Sequence, residues 1–313
     1  MMEWFDRACR PAWPAERLAL VRVLVGLYGT FFLLIRSRHL MSYAAYGGAD
    51  FHPVGVVSVL EQPLEAIITR SLVVVTIALS LGFLVGWRYR IVAPLYAAAL
   101  LWVLTYTNSF GFIMHTDNLF VVYVLVLAVS PAADTFSWDA MRSPRSDDLT
   151  SRELNGDYGW ALRLMCVVCV AAYLLAGYAK LKHGGAAYFD SNTLRNYIAY
   201  DNVRKIELGS IHSPLGAWLL PFSSVFQGLG ILSIALELGA PLALVHRRIG
   251  HVWSLLVFGF HWGVLALMAI GFPFQLTGLA FVPFLAIEGI KDRALVLRVL
   301  RTLRLVPAES PPT

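Results

Sequence analysis

Apolar runs of roughly 20 residues recur along this chain, each long enough to cross a hydrocarbon layer about 30 Å thick. In lipid every backbone N–H and C=O must find its partner within the protein, which leaves helices and closed barrels as spanning structures. These runs are too long and too uniform for barrel strands. The sequence therefore predicts an all-α, polytopic integral membrane bundle. Composition agrees: 58% of the 313 residues are hydrophobic and 14% charged, against about a quarter charged in soluble domains. The mean hydropathy is +0.65.

About eight transmembrane helices are expected, over residues 18–35, 66–87, 91–107, 112–130, 160–181, 227–245, 252–270 and 274–290. The apolar stretch 215–226 is interrupted by Pro221 and reads as an interfacial or re-entrant piece. The whole chain, 1–313, reads as one domain, with spans inside 18–290 and a basic, Pro-rich tail over 291–313. Arg22 inside the first run, and no A-x-A site after it, argue for a retained first span over a cleaved signal.

Lysines and arginines set orientation, because cytoplasmic loops carry the excess. With the N-terminus in the cytoplasm, the inside holds Arg7, Arg10, Arg17, Arg88, Arg90, Arg142, Arg145, Arg152, Arg247, Arg248 and the basic tail. The outside holds Arg36, Arg38, Lys182, Arg195, Arg204 and Lys205. Both termini are then cytoplasmic, and the plasma membrane is the expected location. The net charge of +5 reads as topology, and no extended basic domain points to nucleic acid. No metal is expected: the histidines are scattered and no H-x-x-H or H-E-x-x-H occurs. Cys166 and Cys169 form a C-x-x-C inside an apolar span, where they read as small packing residues.

Ionisable groups within spans are expensive and face the bundle interior or a wet cavity. Here they cluster by depth. On the predicted topology, His115, Asp117 and Asn118 open the fourth span from outside, and Lys180 ends the fifth there. Glu237 and His261 lie near the middles of the sixth and seventh, and Gln275 opens the eighth. Spacings of three and four residues put Arg163, Cys166, Val170, Tyr173, Gly177 and Lys180 on one stripe. Gln227, Gly230, Ile234, Glu237 and Pro241 form a second, and His251, Ser254, Phe258, His261 and Met268 a third. Gly177, Gly230 and Gly263 are expected to allow close helix approach. The hydrophilic stretch 182–213, with Arg195, reads as a lid or interfacial helix, or as a solvated loop.

Lys180 stands out further. Of 25 basic residues only Lys180, Lys182, Lys205 and Lys291 are lysines. An ammonium loses its proton when desolvated, and a guanidinium effectively does not. Lys180 thus reads either as a base or as a snorkelling helix end. Simpler roles exist for the other groups: a Glu237–His261 structural pair, Asp117 capping its helix or pairing with Arg195, and Asn108 and Asn118 as caps. Arg22, Arg70 and Arg163 are expected to pair with acids or reach the interface.

The motifs Trp102…Tyr106-Thr-Asn108-Ser109, His115-Thr-Asp117-Asn118-Leu119 and Ser130-Pro-Ala-Ala-Asp134-Thr-Phe-Ser-Trp138-Asp139 resemble the bacterial HTTM (horizontally transferred transmembrane) domain. So do Ala176-Gly177-Tyr-Ala-Lys180-Leu181, Glu237-Leu-Gly-Ala-Pro241 and Phe260-His261-Trp-Gly263. The resemblance runs over 15–290. That domain is related to the membrane part of vitamin K-dependent γ-glutamyl carboxylase, where an Ala-Gly-x-x-Lys-Leu stretch carries the lysine regarded as the base on vitamin K hydroquinone. Lys180 matches it, and the family's active site is lumenal, the side inferred here from charge. The family histidine falls close to Asp117 and Asn118, with His115 beside them. The carboxylase's large lumenal β-rich portion has no counterpart here, so glutamate carboxylation of a protein is not expected.

The resemblance implies a carboxylase- or oxygenase-like, lyase-like membrane enzyme. Lys180 would be the base, with His115 and His261 relaying protons or orienting substrate. Asp117, Asn118, Arg195, Glu237 and Gln275 would hold polar groups. Its substrates would be a quinol, O2 and CO2, or a lipid-like molecule from the bilayer, with a redox partner protein regenerating the quinol. Two other readings stand beside it: a proton-coupled carrier, against which no inverted repeat appears, and a non-catalytic membrane scaffold.

Overall fold

The computed structural model describes residues 9–142 and 154–288. The tail expected over 291–313, and residues 289–290 of the last predicted span, lie outside the described residues. Among the described residues the fold is helical without strands, and one isolated bridge joins Trp13 to Asn155. The principal helices are α1 Ala15–Ser42, α2 Ala66–Val85, α3 Tyr89–Thr107, α4 Asn118–Ala128, α5 Gly156–Gly184, α6 Ser191–Glu207, α7 Ser223–Leu238 and α8 Arg247–Met268. Five helical stretches, those of α1, α2, α3, α5 and α8, are long and apolar enough to cross a membrane.

The departures from eight spans have local causes. Asn108 closes the loop before α4 by donating to Met114 O at 3.2 Å and accepting from Met114 N at 3.1 Å, and Gly111 there has φ +98°. What remains of that run is α4, about 16 Å long at about 1.5 Å per residue. The sixth run is split: α7 stops at Leu238, and Ala240–Leu244 follows as a 3-10 turn carrying Pro241. The last run is two short pieces, Pro273–Leu276 and Leu279–Phe284, separated by Gly278 at φ +79° with Pro283 inside the second.

The chain divides into two compact units, Met1–Met165 with Ala286–Thr313, and Cys166–Leu285. In the first unit α1 packs closely on α2, where a Cβ on Gly26 would lie 3.1 Å from Leu84 Cα and Thr30 donates to Ser80 at 3.1 Å. Arg22, expected to pair with an acid or reach the interface, is fully buried. It donates to the carbonyls of Phe83 and Leu84 at 3.3 Å each and to that of Phe136. The reason is the end of α2. The last carbonyls of a helix lack intrahelical partners and carry partial negative charge, so they serve as well as a carboxylate. Asp139 does the converse for α3, accepting from the N–H groups of Arg88 and Tyr89 at 2.9 and 2.7 Å.

In the second unit α6 is fastened to the C-terminal end of α8. Asn202 donates to Leu267 O at 3.1 Å, Ser213 donates to Ala266 O, and Lys205 donates to Met268 O. These groups satisfy carbonyls that the end of α8 would otherwise leave bare. Asn202 also accepts from Ser213 N at 2.6 Å, which ties the short helix Pro214–Leu219 to the same point. Gly216 is required there, since a Cβ would lie 2.2 Å from Leu267 O. The stretch 182–213 is thus a docked helix, not a solvated loop.

Candidate ligand site around Lys180

The stripe predicted on α5 is its buried face. Cys166, Val170, Tyr173 and Gly177 are buried, while Leu174, Leu175 and Tyr178 between them are exposed. Gly177 sets the approach of α7: an added Cβ would lie 2.9 Å from Glu237 Cβ and 3.0 Å from Leu238 Cδ2. One turn further, Lys180 Nζ donates to Glu237 Oε1 at 2.6 Å and lies 5.7 Å from the ring centre of Phe260. The Lys180 side chain keeps 26% of its surface exposed and that of Glu237 only 6%. Glu237 Oε2 is buried without a hydrogen-bond partner.

His261 does not pair with Glu237. Its Nε2 lies 2.7 Å from Tyr173 OH, and Phe272 meets its ring edge-on with centroids 5.0 Å apart. Trp253 meets Tyr173 edge-on at 5.2 Å and donates to Leu236 O at 2.9 Å. His261 Nδ1 is buried with no partner.

Lys180 opens onto a cavity of about 400 Å³ whose walls are mostly apolar: Ile198, Leu229, Leu232, Leu236 and Phe260 among them. That volume lies within the range of about 300–1,000 Å³ usual for small-molecule sites. Helix α6 supplies one wall through Leu194, Tyr197 and Ile198, and Gly259 and Gly263 of α8 leave room in another. Gly230 approaches Tyr188 O, at 3.0 Å for an added Cβ. Gly263 makes no close approach at all, with nothing within 4 Å of such a Cβ. Its lack of a side chain is space in the cavity.

The other expected site residues divide between the units. Arg195 stands on α6 and makes no ion pair among the described residues, and Gln275 is buried with its Oε1 unpartnered. Neither lines the cavity. His115, Asp117 and Asn118 belong to the first unit. There Asp117 precedes α4 without capping it and accepts instead from Arg36 Nη1 at 2.9 Å. Its partner is Arg36, not the expected Arg195. Asn118 is exposed in the first turn of α4, and His115 is exposed in the loop before it. Sequence reading missed Arg36, because nothing in local spacing selects which distant cation meets Asp117. It also missed Asn202, Lys205 and Ser213, whose partners are backbone carbonyls.

Apolar helices of membrane length, with a glutamate-paired lysine at the wall of a mostly apolar cavity, define a multi-pass integral membrane protein. A profile of the HTTM domain matches residues 10–286, and the chain belongs to that family. The chain matches no curated protein and no solved structure.

Proposed function

We propose that this protein binds an apolar molecule bearing a hydroxyl, of the quinol or lipid-like class, in the cavity at Lys180, and that Lys180 removes the hydroxyl proton. The observation that carries this reading is Lys180 at the wall of a mostly apolar cavity of about 400 Å³, bonded to Glu237, which does not itself line the cavity. An apolar ligand filling that space excludes water from the pair, which disfavours separated charge. Passing one proton from Nζ to Glu237 leaves a free amine facing the ligand, ready to act as base. Leu194, Tyr197 and Ile198 on α6 close the apolar wall. A bound quinol would supply the acidic hydroxyl and, with O2, an oxidisable ring; CO2 and a quinol-regenerating redox partner enter through the carboxylase resemblance alone. The arginine bias supports cytoplasmic termini with Lys180 toward the opposite face, and the HTTM resemblance supports a bacterial inner membrane.

The test is the ligand content of purified protein, wild type beside Lys180→Ala, extracted and read by mass spectrometry. A quinone or hydroxyl-bearing lipid is expected with the wild type and absent from the variant. If neither holds a specific ligand and both are equally stable, the reading fails and a scaffold role replaces it.

A further inference from the structure

A second cavity, of about 520 Å³, lies within the first unit among the end of α1, α3 and the start of α4. Its character differs from that of the cavity at Lys180. Part of the wall is hydrocarbon, with Leu104 on α3 and Val121, Val122 and Leu125 on α4. The polar part of the lining is the Arg36–Asp117 pair with His39, Thr105, Thr107, Asn108 and Asn118 around it. Asp117 is buried, and only its Oδ2 is used: Oδ1 has no hydrogen-bond partner. A buried carboxylate oxygen without a donor is costly to leave so, and it asks for an N–H or O–H from a ligand. Arg36 uses one of its five N–H donors on Asp117, and a guanidinium is the group of choice for anionic oxygens. Tyr43 and Phe110 add aromatic faces to the lining, which favour a cationic head.

We infer that this cavity binds a zwitterionic amphiphile, with an ammonium donating to Asp117 Oδ1, an anionic oxygen on Arg36, and hydrocarbon along α3 and α4. The pair is a fixed dipole with one free acceptor and several free donors, and a zwitterionic head is its complement. Neither Lys180 nor the proposed base chemistry enters this inference.

The experiment is native mass spectrometry of the full chain purified in mild detergent and exchanged with defined lipids. The probes are phosphatidylethanolamine, phosphatidylcholine, which keeps the phosphate but has no N–H, and glycerophosphoethanolamine, which has the head without the tails. Phosphatidylethanolamine is expected to be retained about tenfold more than phosphatidylcholine, the worth of one hydrogen bond to a charged group. Retention of glycerophosphoethanolamine to the same degree would move the source from a lipid to a soluble head group and overturn the amphiphile assignment. Asp117→Asn should erase the preference between the two lipids. Should that variant fail to fold, Val122→Trp fills the cavity and leaves the ion pair intact, and it should lower phosphatidylethanolamine retention to the phosphatidylcholine level. Equal retention of both lipids by the wild type, or unchanged preference in Val122→Trp, would sink the inference.

Discussion

Each unit has a cavity whose wall holds the cation of an ion pair, and the two pairs are built differently. In the first unit the cation is Arg36, with 35% of its side chain exposed, beside Asp117 at 12%. In the second it is Lys180 at 26% beside Glu237 at 6%. The first pair shares its cavity with Asn108, Asn118, Thr105 and Thr107, whereas the second faces leucines, Ile198 and Phe260. Guanidinium charge is permanent on any biological scale, and an ammonium can give up its proton. On the two proposals, the same motif, a cation and a carboxylate in a membrane bundle, would serve binding where the charge is fixed and proton transfer where it is not.

The largest effect should come from exchanging the two cations. Lys180→Arg keeps a charge next to Glu237 but removes the base. It should lower quinol deprotonation and turnover about 10²–10⁴-fold, measured as quinol oxidation by the reconstituted protein with the fold checked by circular dichroism. Arg36→Lys should leave that turnover within a few-fold. Full turnover in Lys180→Arg would erase the distinction between the pairs.

Stability should separate single from paired substitutions. Glu237→Leu strands the lysine in apolar surroundings and should cost about 2 kcal/mol, after allowing for the partial exposure of Lys180. Lys180→Leu combined with Glu237→Leu should recover most of that loss in detergent unfolding, because removing a buried pair whole is far less costly than halving it. A double variant as unstable as the single would mean that the site is held by something other than the pair.

Two glycines near the same pair sharpen the picture. Gly177→Ala should destabilise by about 1–3 kcal/mol, because its Cβ would meet the backbone-proximal atoms of α7. Gly263→Ala meets nothing within 4 Å and should be neutral or gain up to about 1 kcal/mol in helix propensity. Thermal unfolding of the two variants side by side distinguishes a packing glycine from a cavity glycine.

The smallest effect concerns α6, which walls the cavity at Lys180. Burial pushes the Asp201 carboxyl on α6 up, but hydrogen bonds and charge from Lys205 and Arg204 outweigh it and hold the group below its usual value. A depressed folded value means that the stabilisation is present in full above the unfolded value of about 3.9. It is lost as pH falls through the folded value. Hydrogen exchange over residues 191–207 should therefore quicken only below about pH 4, and the acid-dependent part of that change should be missing in Asp201→Asn.

Much of the fold was legible because hydrocarbon length and the 3.6-residue period are local properties. The five long apolar helices coincide with predicted runs to within a few residues at most ends, though α1 continues to Ser42 and so carries Arg36 into the first cavity. The α5 stripe was readable for the same reason, and it located Lys180 and Gly177 on the buried face. Hydropathy failed where a run is apolar but broken: Gly278 with Pro283 and Gly239 with Pro241 each end a helix that composition alone would continue, and the Asn108–Met114 loop delays the start of α4 to Asn118. Polar partners were the least legible. Pattern assigns Glu237 to His261, Asp117 to a cap or Arg195, and Arg22 to an acid or the interface, and all three make other bonds.

The sequence by itself determined that this chain is a helical membrane protein, which runs are apolar, and which few ionisable residues a bilayer must be made to accept. Those are consequences of transfer energy and helical period, and both are written in order along the chain. Only the tertiary structure decided that Lys180 meets Glu237, that Arg36 meets Asp117, and that α8's last carbonyls are met by Asn202, Lys205 and Ser213. These choices depend on which helix faces which at distances of a few ångströms. A carboxylate, an amide or a bare carbonyl satisfies a buried donor equally well, and packing selects among them.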